Sequence, residues 1–182
     1  MVHERHERFY WNTPEDLLAV THGGRTMTAP VPPGIATLRG TSIENFVVVL
    51  AQVRNSDGAL VGTLSELEVF SKDKSTTLYE VYLTIVVPGR GSLFAYETKD
   101  SANPALMGSY QEMMRTGRPW EGRVEGILTV GPASGARGIL VGATGEFEGM
   151  VGFQQQSGIV TEVTQKSSKV AVCDAFWLHS RS

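Results

Sequence analysis

Residues 142–152 read Gly-Ala-Thr-Gly-Glu-Phe-Glu-Gly-Met-Val-Gly. Four glycines in eleven positions break any regular strand or helix, because glycine is locally unfavourable in both. They suit a tight corner between two strands, with Phe147 as the one aromatic on the corner. Working outward, glycine makes up 20 of 182 residues, about one in nine against a usual figure of about 7%. Gly62, Gly122, Gly126, Gly149, Gly152 and Gly158 fall inside or at the ends of β-rich runs, where a barrel bends or lets another group approach closely.

The runs flanking these glycines are rich in β-branched and aromatic residues. The pattern predicts strands over 44–54, 60–72, 77–87, 91–99, 120–131, 138–143, 151–164 and 168–178. Asn55-Ser56-Asp57-Gly58, Pro88-Gly89-Arg90-Gly91 and Pro132-Ala133-Ser134-Gly135 carry turn chemistry between them. One helix-like break runs from Ala105 to Thr116, opening after Asn103-Pro104 and ending at Gly117. Eight strands joined mainly by short loops give an all-β chain. The expected fold is an eight-stranded antiparallel up-and-down β-barrel over residues 35–182, with a two-sheet sandwich as the alternative. An eight-stranded barrel is the size that just holds one small ligand.

Residues 1–34 read differently. His3-Glu4-Arg5-His6-Glu7-Arg8 alternates charge with no apolar face and is expected to be a solvated tail. Phe9-Tyr10-Trp11 follows. Thr13-Pro14-Glu15-Asp16 is a good helix start, with an N-cap, a proline at the first position and acidic residues at the positive end of the dipole. Leu17, Leu18 and Val20 give that helix an apolar side, Gly23-Gly24 ends it, and residues 29–34 form a stiff connector. The expectation is a short helical arm tethered to the barrel.

A 41% hydrophobic, 19% charged composition excludes wholesale disorder. The net charge of −3 argues against nucleic acid as a partner. The longest apolar run, residues 46–51, is far short of the ~20 residues a membrane helix needs. No apolar signal stretch opens the chain, and one cysteine, Cys173, forms no internal disulfide. Both fit a cytoplasmic protein.

Phosphate-binding loops, dinucleotide fingerprints and the GxSxG elbow are missing. Of the histidines, His3, His6 and His22 lie in the arm and His179 near the end, without the spacing of metal ligands. Cys173 reads as an inert thiol, since no histidine neighbours it in sequence. No metal or organic cofactor is expected. What remains is a set of polar groups on apolar strands. Glu66 and Glu68 share one face with Leu64 and Phe70. Glu80, Tyr82 and Thr84 lie opposite Tyr79, Val81, Leu83 and Ile85. Tyr96, Glu125, Gln154, Gln156 and Asp174 follow the same style. Both faces mix polar and apolar residues, so alternation leaves the inward face open. These groups either coat the outer wall or point inward, where a buried carboxyl with a raised pKa suits proton transfer near neutrality.

The corner resembles the signature of allene oxide cyclase and dirigent-like barrels, where a strand, a glycine-rich turn around a phenylalanine and another strand follow in order. Val61 to Phe70 is similar to the second strand of that family, and the resemblance spans about residues 44–178. It implies a barrel with a mostly apolar lumen and no cofactor, whose members steer cyclisation or coupling of reactive intermediates. Bacterial relatives close spirotetronate or spirotetramate rings by intramolecular [4+2] cycloaddition, and the arm is similar to one that the spirotetramate-forming members carry. The plant cyclases' glutamate and cysteine do not carry over, because Glu44 is near the right strand but Cys173 is on the last.

On this reading the chain is a cofactor-free cyclase (a Diels–Alderase) acting on an apolar polyene of polyketide type, which folding in a shaped chamber accelerates. Glu66, Glu68 and Tyr82 are the catalytic candidates. Phe94, Tyr96, Phe147, Gln154, Gln156, Phe176 and Trp177 are the substrate-binding candidates, and Trp11, Leu17 and Leu18 would form a lid. A lipocalin-like carrier and a dirigent-like protein steering a coupling done by another oxidant are the alternatives. Relatives of this type suggest a homodimer or homotrimer.

Overall fold

Strand follows strand along almost the whole chain in a computed structural model that describes residues 4–22, 33–39, 46–73 and 75–180. The strands are β1 (Glu4–Thr13), β2 (Leu17–His22), β3 (Ala36–Arg39), β4 (Phe46–Arg54), β5 (Leu60–Phe70), β6 (Leu78–Val87), β7 (Gly91–Asp100), β8 (Trp120–Ile127), β9 (Thr129–Gly131), β10 (Gly138–Gly145), β11 (Met150–Val163) and β12 (Ser168–Ser180). One helix, α1 (Pro104–Thr116), interrupts them. Following the pairings, β1-β12-β11-β10-β7-β6-β5-β4 form a ring, closed by the antiparallel pair Tyr10↔Arg54 between β1 and β4. The result is the expected closed eight-stranded antiparallel barrel.

The closing stave is not the expected one. Residues 4–13 form a strand running beside β12 from Glu4↔His179 to Thr13↔Val170, and β2 continues it along β4 through Leu17↔Ala51 and Val20↔Val49. The solvated tail and the short helix are therefore corrected to strands. Two open edges, on β12 and β4, offer residues 4–22 more backbone hydrogen bonds than a short isolated helix can make. Phe9 and Trp11, at period two, drop into the core. The apparent helix start becomes a turn. Asp16 N–H donates to the Asn12 carbonyl, and the Asp16 carboxylate accepts from Asn12 N–H and pairs with Arg54 at 2.9 Å instead of capping a helix. Gly23-Gly24, residues 29–32 of the connector and Glu44 lie outside the described residues.

The expected 120–131 strand breaks at Leu128 into β8, which pairs with β11, and β9, which pairs with β7. Both lie off the ring and fill the gap where β10 leaves β11 after two register pairs. Helix α1 packs Tyr110 and Met113 inward and stops at Gly117, whose φ of +67° suits a helix C-terminus.

The barrel has two ends. At the hairpin end lie the 55–59 and 88–90 turns and the 146–149 corner; at the helix end lie α1 and the β5–β6 loop. The corner depends on Gly145 and Gly152. Both have positive φ (64° and 159°), and a Cβ there would collide with the Arg90 and Trp177 carbonyls. Phe147, fully buried, fills the splay between β10 and β11. Arg5 and Arg90 lie over its ring, 4.8 and 5.2 Å from the centroid. Phe9, Val53, Leu64, Ile85, Leu93, Phe176 and Leu178 complete an apolar core on this side. No described helix is long and apolar enough to cross a membrane.

Candidate functional site: a carboxyl cluster around one lysine

Midway down the barrel the inward side chains change character. On β7 the period-two face runs Leu93, Ala95, Glu97, Lys99, and on β5 it runs Leu64, Glu66, Glu68, Phe70. Both turn from apolar to charged toward the helix end. Lys99 Nζ lies 3.1 Å from Glu66, 3.4 Å from Glu97 and 4.0 Å from Glu68. Lys99, Glu66 and Glu97 are all buried. The Glu68 side chain keeps 18% of its surface in solvent, which makes it the reachable member.

A chain of hydrogen bonds extends the cluster across the barrel. The Gln156 amide donates to Glu66 and, at 3.0 Å, to Asp174 on β12. Gln154 donates to the same Asp174 oxygen at 3.1 Å, and the Trp11 indole to the other at 3.2 Å. On the opposite flank the Thr129 hydroxyl donates to Glu97 and accepts from the Gln156 N–H at 2.7 Å. Gln154 Oε1 is buried without a partner.

Three carboxyls, Glu66, Glu68 and Glu97, thus share one ammonium, with Asp174 linked to them through Gln156, and electrostatics decides which keep protons. Burial pushes Glu68 up to about 7, helped by Glu66 and Glu97 and opposed by Lys99. Burial, with the Glu66 and Glu97 charges, pushes Asp174 up to about 8 against the donated Gln156 hydrogen bond. Burial raises Glu97 too. Burial alone would favour neutral Lys99, but Glu66 and Glu97 together hold its proton well above the ordinary lysine range. Two carboxyls that change charge near neutrality, next to a permanently charged lysine, are the equipment of general acid and base chemistry. Among the described residues, no three His, Cys, Asp or Glu side chains gather so as to hold a metal ion.

Of the residues singled out in the sequence, Glu66, Glu68, Gln154 and Gln156 come together in this cluster. Phe176 lies beside it, buried edge-on to Phe9 at 6.0 Å. Trp11 is part of the cluster and not of a lid at the mouth. Leu17 packs half-buried against the core, while Leu18 is 45% exposed. Phe147 sits at the hairpin end. Tyr82, Phe94, Tyr96 and Trp177 are on the other face of their strands. Tyr82 is 45% exposed, Tyr82 and Tyr96 donate hydroxyls to Glu80 on the outer wall, and Trp177 meets His6. The reason is parity: Val81, Leu83 and Ile85 are fully buried, so their neighbours Tyr82 and Thr84 point out. The catalytic trio therefore splits, with Tyr82 separated from Glu66 and Glu68 by the barrel wall.

Glu97, Lys99 and Thr129 were not anticipated, and Asp174 was noted only as one polar strand residue among several. A period-two reading of β7 was available, but Phe94 and Tyr96, the conspicuous apolar residues there, belong to the outer face.

No family model matches the chain, and no curated protein matches it. Among solved structures it is similar to two pterocarpan synthase dirigent proteins, GePTS1 and PsPTS1. Each superposes over 100% of this chain with a TM-score of 0.50 at 14% identity, covering 88% of the first and 97% of the second. The likeness is one of fold, a dirigent-type barrel.

Proposed function

We propose that the chain is a cofactor-independent, dirigent-like barrel that binds a small reactive intermediate and steers its ring closure by proton transfer. The observation that carries this reading is the imbalance inside the barrel: three carboxyls around one lysine and a fourth, Asp174, joined to them through Gln156, with Glu68 and Asp174 raised to about 7 and 8. A carboxyl protonated at neutral pH serves as general acid toward a leaving or carbonyl oxygen, and as base once it has given that proton away. Such assistance contributes about 10²–10⁴-fold. Glu68, the member in reach of solvent, is assigned the exchange with substrate. Lys99 and Glu66 hold the electrostatic field in which it titrates. The pterocarpan synthase dirigent proteins of similar fold support ring closure as the reaction class, and their likeness favours this reading over a carrier.

The [4+2] cycloaddition of an apolar polyene is the second reading, favoured by the apolar character of the interior from Phe9 to Leu178 toward the hairpin end. That reaction needs a shaped apolar chamber and no proton transfer, so the two readings differ in their pH dependence. Incubation with pterocarpan precursors and with linear polyene tetramates, followed by mass spectrometry and chiral chromatography, tests both. The proton-transfer reading expects turnover that changes through pH 6–8 and falls about 10²-fold or more in Glu68→Gln. Turnover that is flat with pH and indifferent to Glu68→Gln overturns it in favour of the container. Binding of either compound without conversion points to a carrier.

A further inference from the structure

Asp174 on β12 is surrounded by donors alone. Its Oδ1 accepts from the Gln154 amide at 3.1 Å and the Gln156 amide at 3.0 Å, and its Oδ2 from the Trp11 indole at 3.2 Å. Three donated hydrogen bonds suit an ionised carboxylate. The surroundings pull the other way. Burial and the Glu66 and Glu97 charges favour the protonated form, with Lys99 as the one cation set against them and Cys173 as the chain neighbour on the outer face. A protonated Asp174 has a hydrogen to give, and each of the three groups bonded to it presents an N–H.

Gln156 is in no position to turn and offer an acceptor. Its amide nitrogen donates to Glu66 as well as to Asp174, so a turn would aim its oxygen at a second carboxylate. The Trp11 indole is a donor only. Gln154 is different. Asp174 is the one partner of its amide nitrogen among the described residues, and its Oε1 is buried without any. That oxygen faces Gly138, where a Cβ would lie 2.9 Å from Gln154 Oε1, 2.7 Å from the Tyr96 carbonyl oxygen and 2.8 Å from Glu97 Cβ. Amide oxygen and nitrogen are alike in size, so a half-turn of the amide changes the hydrogen bonding and not the packing. The half-turn brings Oε1 to the Asp174 hydroxyl. It also swings the NH2 toward the Tyr96 carbonyl and Glu97, whose Oε1 is buried without a hydrogen bond.

We propose that Gln154 is a proton-linked positioning residue: its side-chain amide donates to ionised Asp174 and turns to accept from protonated Asp174, its NH2 then facing Glu97. The turn carries the charge state of one flank of the cluster to the other. It deepens the proton-transfer reading, on which its functional meaning rests, by giving that site a means of regulation. The turn itself belongs to the resting protein. Nuclear Overhauser spectra of the whole chain from about pH 6 to about pH 9 read it, with the Gln154 amide assigned through Gln154→Met. At the low end the Gln154 NH2 gives a cross-peak to Gly138 Hα. Toward the high end that cross-peak is lost, with the midpoint of the Asp174 carboxyl near 8. The Gln156 NH2, held by Glu66, keeps its cross-peaks throughout. In Asp174→Asn, which removes the titrating group, the Gly138 cross-peak no longer changes with pH, and the wild-type series decides alone if that variant does not fold. A Gly138 cross-peak of constant intensity across the series, or one lost with a midpoint unlike that of Asp174, overturns the proposal. Turnover indifferent to Glu68→Gln overturns the proton-transfer reading and leaves the amide turn standing, so the two failures are told apart.

Discussion

The two ends of the barrel handle charge in opposite ways. At the hairpin end, Arg5 and Arg90 meet Glu7 and Glu146 in a ring of four ion pairs above Phe147, two cations against two anions, each partly in water. At the helix end, Lys99 is the one cation among the described residues that pairs with Glu66, Glu68 and Glu97, with Asp174 linked through Gln156, and burial removes the screening. The balanced ring closes the barrel with each cation paired to both anions. The unbalanced cluster stays inside only by keeping protons, and a group that holds a proton near neutrality is a group that can pass one on. The difference sets the proposed proton transfer at one end and the closure of the barrel at the other.

The largest effect is expected from Lys99→Met. It leaves the carboxyls without their cation, so urea unfolding at pH 8 shows a loss of about 3–5 kcal/mol, shrinking toward pH 5 as they protonate. If the loss is the same at both pH values, the cluster is not charged as described. At the other end, Phe147→Ala opens a cavity and costs about 3–5 kcal/mol with no such pH dependence. A pH-dependent cost there would blur the contrast between the ends.

Stability itself has a slope. Glu68 and Asp174 bind protons more tightly folded than unfolded, so between their ordinary carboxyl values and about 7 and 8 the folded chain carries more protons than the unfolded one. Stability therefore falls as pH rises through that window and levels off above it. Thermal melts from pH 5 to 9 check this, and Asp174→Asn flattens the slope. A melting temperature that climbs from pH 5 to 8 contradicts it. The smallest effect belongs to the outer ring. Arg5→Ala costs about 1 kcal/mol or less, and wild-type stability at that end softens slightly with salt.

The glycine corner and the turn signals made the barrel legible in the sequence, because turns depend on local backbone geometry that residue type specifies directly. The closing stave was not legible. Thr13-Pro14-Glu15-Asp16 carries genuine helix-start chemistry, and only the presence of open edges on β4 and β12 converts it to a turn between strands. The site was half legible for a related reason. Period two groups Glu66 with Glu68 and Tyr82 with Glu80, but which group faces in depends on ring closure. Lys99 and Glu97 hid beside the showier Phe94 and Tyr96. Tertiary context decided each case, and no local signal carried it.

The central claim is that the interior carboxyls keep protons at neutral pH. Carbon-13 NMR titration of the Glu68 and Asp174 carboxyls, assigned with Glu68→Gln and Asp174→Asn, measures this directly. The account predicts midpoints near 7 and 8. Midpoints for both groups at ordinary carboxyl values, near 4, would contradict it.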